Sequence, residues 1–170
     1  MLNLSHKVIK GLSNSQIAKN ETNDCFVRAL AAATGQDYDT AHSVATISFN
    51  RDHKKGVSLD DLVSTMERAQ REGLEVGNTV YGVKSLRGAS IKNYYKLRGE
   101  EIARKKSVKS FIKDNPKGSY IVTVSKHAFA VIDGKLVDNK GEEFRPTRKV
   151  TSAYKITKPE LYGKQLSLKF

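Results

Sequence analysis

The sequence predicts an α+β fold, with helices first and an antiparallel sheet second. Three observations carry this. From Phe26 to Ala33 every residue except Arg28 is apolar or small, the composition of a buried helix. From Gly118 to Asp138, β-branched runs are separated by turn residues, the pattern of hairpin-connected strands. Between two of those runs stands Asp133-Gly134, the strongest short hairpin signal a sequence offers.

The 170 residues fit a single domain, 1–170, large enough for a proper core. Residues 1–22 read as an N-terminal arm and 157–170 as a basic C-terminal tail. A mean hydropathy of −0.51 and the lack of any long apolar run exclude a transmembrane span and membrane partners. Met1–Gly11 has no continuous apolar stretch of the kind a signal peptide needs, so the expected location is cytoplasmic. One cysteine excludes an internal disulfide and a multi-cysteine metal site. No cofactor and no metal are expected.

The net charge of +12 is spread unevenly. Residues 91–118 hold nine Lys/Arg against three acids, and 145–170 hold seven against Glu160 alone. Such a surface steers the protein toward acidic partners. No aromatic-interleaved motif accompanies the basic runs, so nucleic acid is the less favoured partner and a protein or peptide, acidic in character, the more favoured one.

Taken in order, residues 1–22 are polar with scattered anchors, among them Leu4, Ile9 and Leu12. Asn23 and Asp24 are N-cap types, and they set the start of a helix over about 24–34 that Gly35 closes. Tyr38, Ala41, Val44 and Ala45 recur at helical spacing and predict a second helix to about Phe49. Residues 50–56 form a charged loop. Ser58-Leu59-Asp60-Asp61 is a capping box for an amphipathic helix that ends at Gly73. A short strand is expected near Thr79–Tyr81, and a packed piece around Ile91–Leu97. Ser107 caps a short helix that Pro116 stops. Strands follow over 118–124, 128–132, 135–138 and 150–156, with a further turn at Lys140-Gly141.

The chemistry concentrates at Cys25, the only thiol, which opens the apolar helix. A helix N-terminus favours the thiolate, the nucleophilic form. His127 opens a strand. If Asp133-Gly134 is a two-residue turn, Ile132 pairs with Lys135 and Phe129 with Asp138. Asp138 then shares a face with His127 as its diagonal neighbour, at roughly 7–8 Å between backbones, while Asn139 points the other way. A nucleophile, a base and a carboxylate that orients the base form the pattern of nucleophilic catalysis. The backbone N–H of Cys25 is a natural oxyanion donor, with Asn20 ahead of Asn23 as the side-chain candidate.

Asn23-Asp24-Cys25 at a helix start, then Gly118-Ser119-Tyr120-Ile121-Val122-Thr123-Val124, then His127 through Gly134 and Asp138, resembles the papain-like cysteine peptidase superfamily. The likeness is to the small, compact versions found in bacteria and their phages. It covers 20–35 and 118–139. It implies a papain-like fold in which a central nucleophile helix packs on a C-terminal antiparallel sheet. It also implies cleavage of a peptide, isopeptide or related amide bond by Cys25, His127 and Asp138 through a thioester. Papain's upstream glutamine is missing, since Lys19 and Asn20 occupy that region, and the chain has no tryptophan. A different class of function is a non-catalytic basic binding protein built on the same scaffold.

Overall fold

Alanine-rich apolar sequence makes the central helix because it loses little side-chain entropy and fits close to a sheet. The computed structural model describes residues 8–58, 62, 75–76, 79–80, 83–85, 107–138 and 147–156. Within these, α1 spans Gln16–Lys19, α2 Cys25–Thr34 and α3 Tyr38–Ser48. Ser15 caps α1 and Asp37 caps α3, each side chain accepting a backbone N–H of the first turn. Gly35 ends α2 at φ 72°, a left-handed conformation that glycine adopts without a Cβ clash.

Three short strands follow: β1 at Glu75–Val76, β2 at Thr79–Val80 and β3 at Val83–Ser85. Then come α4 at Val108–Asp114, β4 at Ser119–Val124, β5 at His127–Ile132, β6 at Lys135–Val137 and β7 at Val150–Ile156. β1 and β2 pair only with each other, while the main sheet has the order β3-β7-β4-β5-β6, antiparallel throughout. The expected strand at Thr79–Tyr81 is thus β2, and β3 is an addition at the sheet edge. The Ser58–Gly73 helix, apart from Ser58 and Leu62, lies outside the described residues, as do Ile91–Leu97, Lys140-Gly141 and the 157–170 tail. Leu62 is helical and buried.

The sheet is covered on both faces. On one, α2 packs against β5, and Leu30 and Ala33 join Ala128, Ala130 and Val137 in a single apolar cluster. Alanine on both sides of that contact lets the backbones approach closely. On the other face, Phe111 of α4 meets Tyr120 edge-on, with ring centroids 5.4 Å apart, above Val122, Phe129 and Leu136. Side chains of β5 therefore alternate between two buried layers, as the pleat requires. The molecule is α+β, and no described helix is long and apolar enough to cross a membrane.

Candidate active site

Cys25 is the first residue of α2 and is half-buried. Asn23, just upstream, takes φ 52°, which turns the chain sharply into the helix. Asp24 holds the N-cap position, yet its carboxylate makes no cap bond. Instead it accepts from the Tyr38 hydroxyl at 2.7 Å and from Arg28 Nε at 3.2 Å. Of the two N-cap residues read from the sequence, Asp24 takes the N-cap position while its side chain bonds elsewhere. Tyr38 is fully buried, and its hydroxyl claims the nearest carboxylate. Of the first-turn amides, the Phe26 N–H bonds to the sulfur.

Burial alone would push the Cys25 thiol up. Hydrogen bonding from His127 and from the Ala128 N–H, the charge of His127, and the Phe26 N–H outweigh it and hold the thiol below its ordinary value. Two of these donors come from the first residues of β5. α2 and the sheet therefore meet at the Cys25 sulfur.

His127 is 6% exposed. Its Nε2–H donates to Asp138 Oδ1 at 2.7 Å, which leaves the contact with Cys25 to Nδ1. Burial would lower the imidazole. The Asp138 hydrogen bond, the Cys25 hydrogen bond and the charges of both lift it to about 9. Thiolate and imidazolium thus support each other, with Asp138 behind the ring. Phe129 lies beside the ring at 6.0 Å between centroids and limits its tilt.

Asp138 is placed by hairpin chemistry. Asp133 and Gly134 take φ 48° and 77°, the two positive angles of a type I′ turn. The register then runs Ile132 with Lys135, Val131 with Leu136 and Ala130 with Val137. One step further puts Asp138 level with Phe129, on the His127 face. Asp138 is 3% exposed. Asn139, which the sequence register set aside in favour of Asp138, is outside the described residues.

Asn20 and Asn23 are held by backbone carbonyls. Asn20 Nδ2 donates to the Gln16 carbonyl at 3.0 Å, across the end of α1. Asn23 Nδ2 donates to the Lys54 carbonyl at 3.1 Å. Both contacts are with backbone oxygens, and neither is with the Cys25 sulfur.

A cavity of about 730 Å³ opens beside Cys25 and His127. Its floor is apolar, from Phe26, Val57, Leu62, Val124 and Ala128. Thr123 and Thr151 line it where β4 and β7 slip register. At that irregularity the Thr123 hydroxyl meets both Thr151, at 2.7 Å, and Ser152. Two residues on β7 thus answer one on β4, as at a bulge beside an active site.

Sequence reasoning missed the support beneath the nucleophile. The Glu21 side chain is shielded from solvent and accepts from His42 Nε2 at 2.7 Å, from the Lys54 N–H at 2.8 Å and from Arg51. Arg51 also donates to the Thr22 carbonyl at 3.2 Å. Burial would raise the Glu21 carboxyl, but Arg51 and His42 hold it at about 2. This ties the 50–56 loop, with Gly56 at the cavity edge, to the segment that leads into Cys25. Glu21, His42 and His53 also place ligand-type atoms within 4.8 Å of one another. The Arg51 guanidinium sits on the same carboxylate and opposes a metal cation, so the group reads as an ion-pair hub. The signal for it in sequence was weak, because a charged run such as Asn50–Gly56 normally marks solvent.

The chain matches no protein-family model, no curated protein and no solved structure.

Proposed function

We propose that this protein is a papain-like thiol hydrolase that cleaves a peptide, isopeptide or related amide bond. The observation that carries this reading is the buried His127–Asp138 pair set against a thiol at a helix N-terminus. Burying an imidazole and a carboxylate together costs desolvation, and a chain that needed only a core would use apolar residues there.

The Cys25 thiolate attacks the substrate carbonyl carbon. The resulting oxyanion accepts from the Cys25 backbone N–H at the positive end of α2. The His127 imidazolium gives its Nδ1 proton to the leaving nitrogen as the C–N bond breaks. A thioester on Cys25 remains, and the amine departs. Neutral His127 then takes a proton from water, whose oxygen attacks the thioester carbon. The C–S bond breaks, the acid product leaves, and the thiolate–imidazolium pair is restored. Asp138 keeps the ring in the required orientation through its hydrogen bond to Nε2.

The test is the pH dependence of Cys25 alkylation by iodoacetamide. The expected result is reaction well below the ordinary thiol value of about 8.5, with that advantage lost in His127→Ala. Ordinary thiol behaviour in both proteins would refute the reading.

A further inference from the structure

The cavity beside Cys25 has two chemical parts. Its floor is apolar, whereas its mouth carries Lys126, Arg148 and Lys149. Among the described lining residues there is no Asp or Glu. We propose that the site selects acidic peptide substrates, with an apolar side chain lodged on the floor and a carboxylate held by Lys126, Arg148 and Lys149. This rests on the thiol-hydrolase reading and adds to it the substrate class.

The three cations gather at one turn. Ser125-Lys126 is the two-residue connection between β4 and β5, immediately before His127. Lys126 takes φ 60° there, a conformation that costs a side chain about 1 kcal/mol and that glycine would adopt freely. A strained backbone that keeps a charged side chain next to the base is the kind of outlier that points to function. Arg148 reaches the same turn from the segment leading into β7, with Nη2 donating to the Ser125 carbonyl. That segment is itself fixed. The Arg148 carbonyl accepts from the Val108 N–H at 2.9 Å, and Lys149 forms a bridge with Ser107. Arg148 is half-buried and held in place, so little freedom is lost when its remaining N–H groups meet a carboxylate. Lys126 and Lys149 are exposed and extend the positive field toward solvent.

A nucleic-acid strand would use the same charges. The apolar floor and a volume of about 730 Å³, room for a short peptide segment, favour a peptide. So does the position of the rim beside a group that attacks carbonyls.

The test compares two small electrophiles on the intact protein. Iodoacetate and iodoacetamide both form an S–C bond to Cys25 and release iodide, and they differ in charge. The rate ratio, normalised to that of a small free thiol, is expected to favour iodoacetate on the order of tenfold at low salt. The His127 imidazolium contributes to any such preference, so the deciding protein is Lys126→Gln/Lys149→Gln, whose altered side chains are exposed. Its ratio is expected to fall several-fold, and 1 M salt is expected to produce a similar fall in the native protein, where the screening length is about 3 Å. A ratio unmoved by the double substitution overturns the proposal. In a second arm, peptides compete with alkylation. A Glu/Leu hexapeptide should protect Cys25 where a Lys/Leu hexapeptide does not. Equal protection by the two peptides, or protection by a single-stranded polynucleotide as good as that by the Glu/Leu peptide, also overturns it. Failure of the underlying hydrolase reading looks different, because iodoacetamide alone would then show an ordinary thiol.

Discussion

At Cys25 and His127 each charge depends on the other. The thiol is lowered and the imidazole is raised to about 9, because each group hydrogen-bonds and attracts the charged form of the other. Removing the imidazole in His127→Ala leaves burial opposed only by the Ala128 and Phe26 N–H groups. Alkylation at pH 6.5 is then expected to slow at least tenfold, since one pKa unit is a factor of ten. Asp138→Ala tests the other side of the ring. His127 has a folded value above its unfolded 6.5, so its stabilising contribution is complete below about pH 6.5 and is lost as the pH rises through about 9. Asp138→Ala should therefore destabilise the protein more at pH 6 than at pH 10, as measured by urea unfolding. Equal losses at both values would mean that Asp138 does not hold the imidazolium.

Among the elements, the segment before α2 and the β5–β6 turn set the site. Arg51 is fully buried with Glu21, and breaking such a pair strands the remaining charge. Glu21→Gln is expected to cost about 3 kcal/mol in urea unfolding at pH 7. The folded value of Glu21 lies below its ordinary one, so its contribution is present above about pH 4.5 and is lost as the pH falls toward 2. The variant should lack that part of the acid loss. At the turn, Gly134→Ala places a Cβ at φ 77° and 3.4 Å from the Pro116 carbonyl oxygen. A loss of about 1–2 kcal/mol is expected, with weaker low-pH alkylation as Asp138 shifts. The turn and its register were legible in the sequence because Asp-Gly dictates the connection and pairing then follows by counting. Glu21 was not, because a lone acid in a polar run carries no sign of burial. Nor was β3, since three residues at a sheet edge are too few to show alternation. Arg148 and Lys149 read as part of a basic, solvated stretch, and only the fold brings them to the Ser125 turn.

For the whole molecule, the order of helices and sheet was plain from the change in hydrophobic period. The close fit of α2 on β5 was implied only by the run of alanines. Ala130 is fully buried in that contact. Ala130→Leu should force the layers apart and cost about 1–3 kcal/mol. It should also move the thiol away from the imidazole. Slower alkylation at pH 6.5, with Cys25 and His127 themselves unchanged, would show that layer spacing tunes reactivity. Wild-type reactivity in a folded Ala130→Leu protein would refute that link.

Cys25 lies about 100 residues before His127 along the chain, on elements that meet only when the sheet closes on α2. During synthesis at about 5–20 residues per second, Cys25 leaves the ribosome several seconds before His127 and Asp138 exist. Throughout that interval the thiol is an ordinary one. The nascent chain thus lacks the thiol–imidazole pair until β5 and β6 have been made, and the pairing arrives only when the fold does.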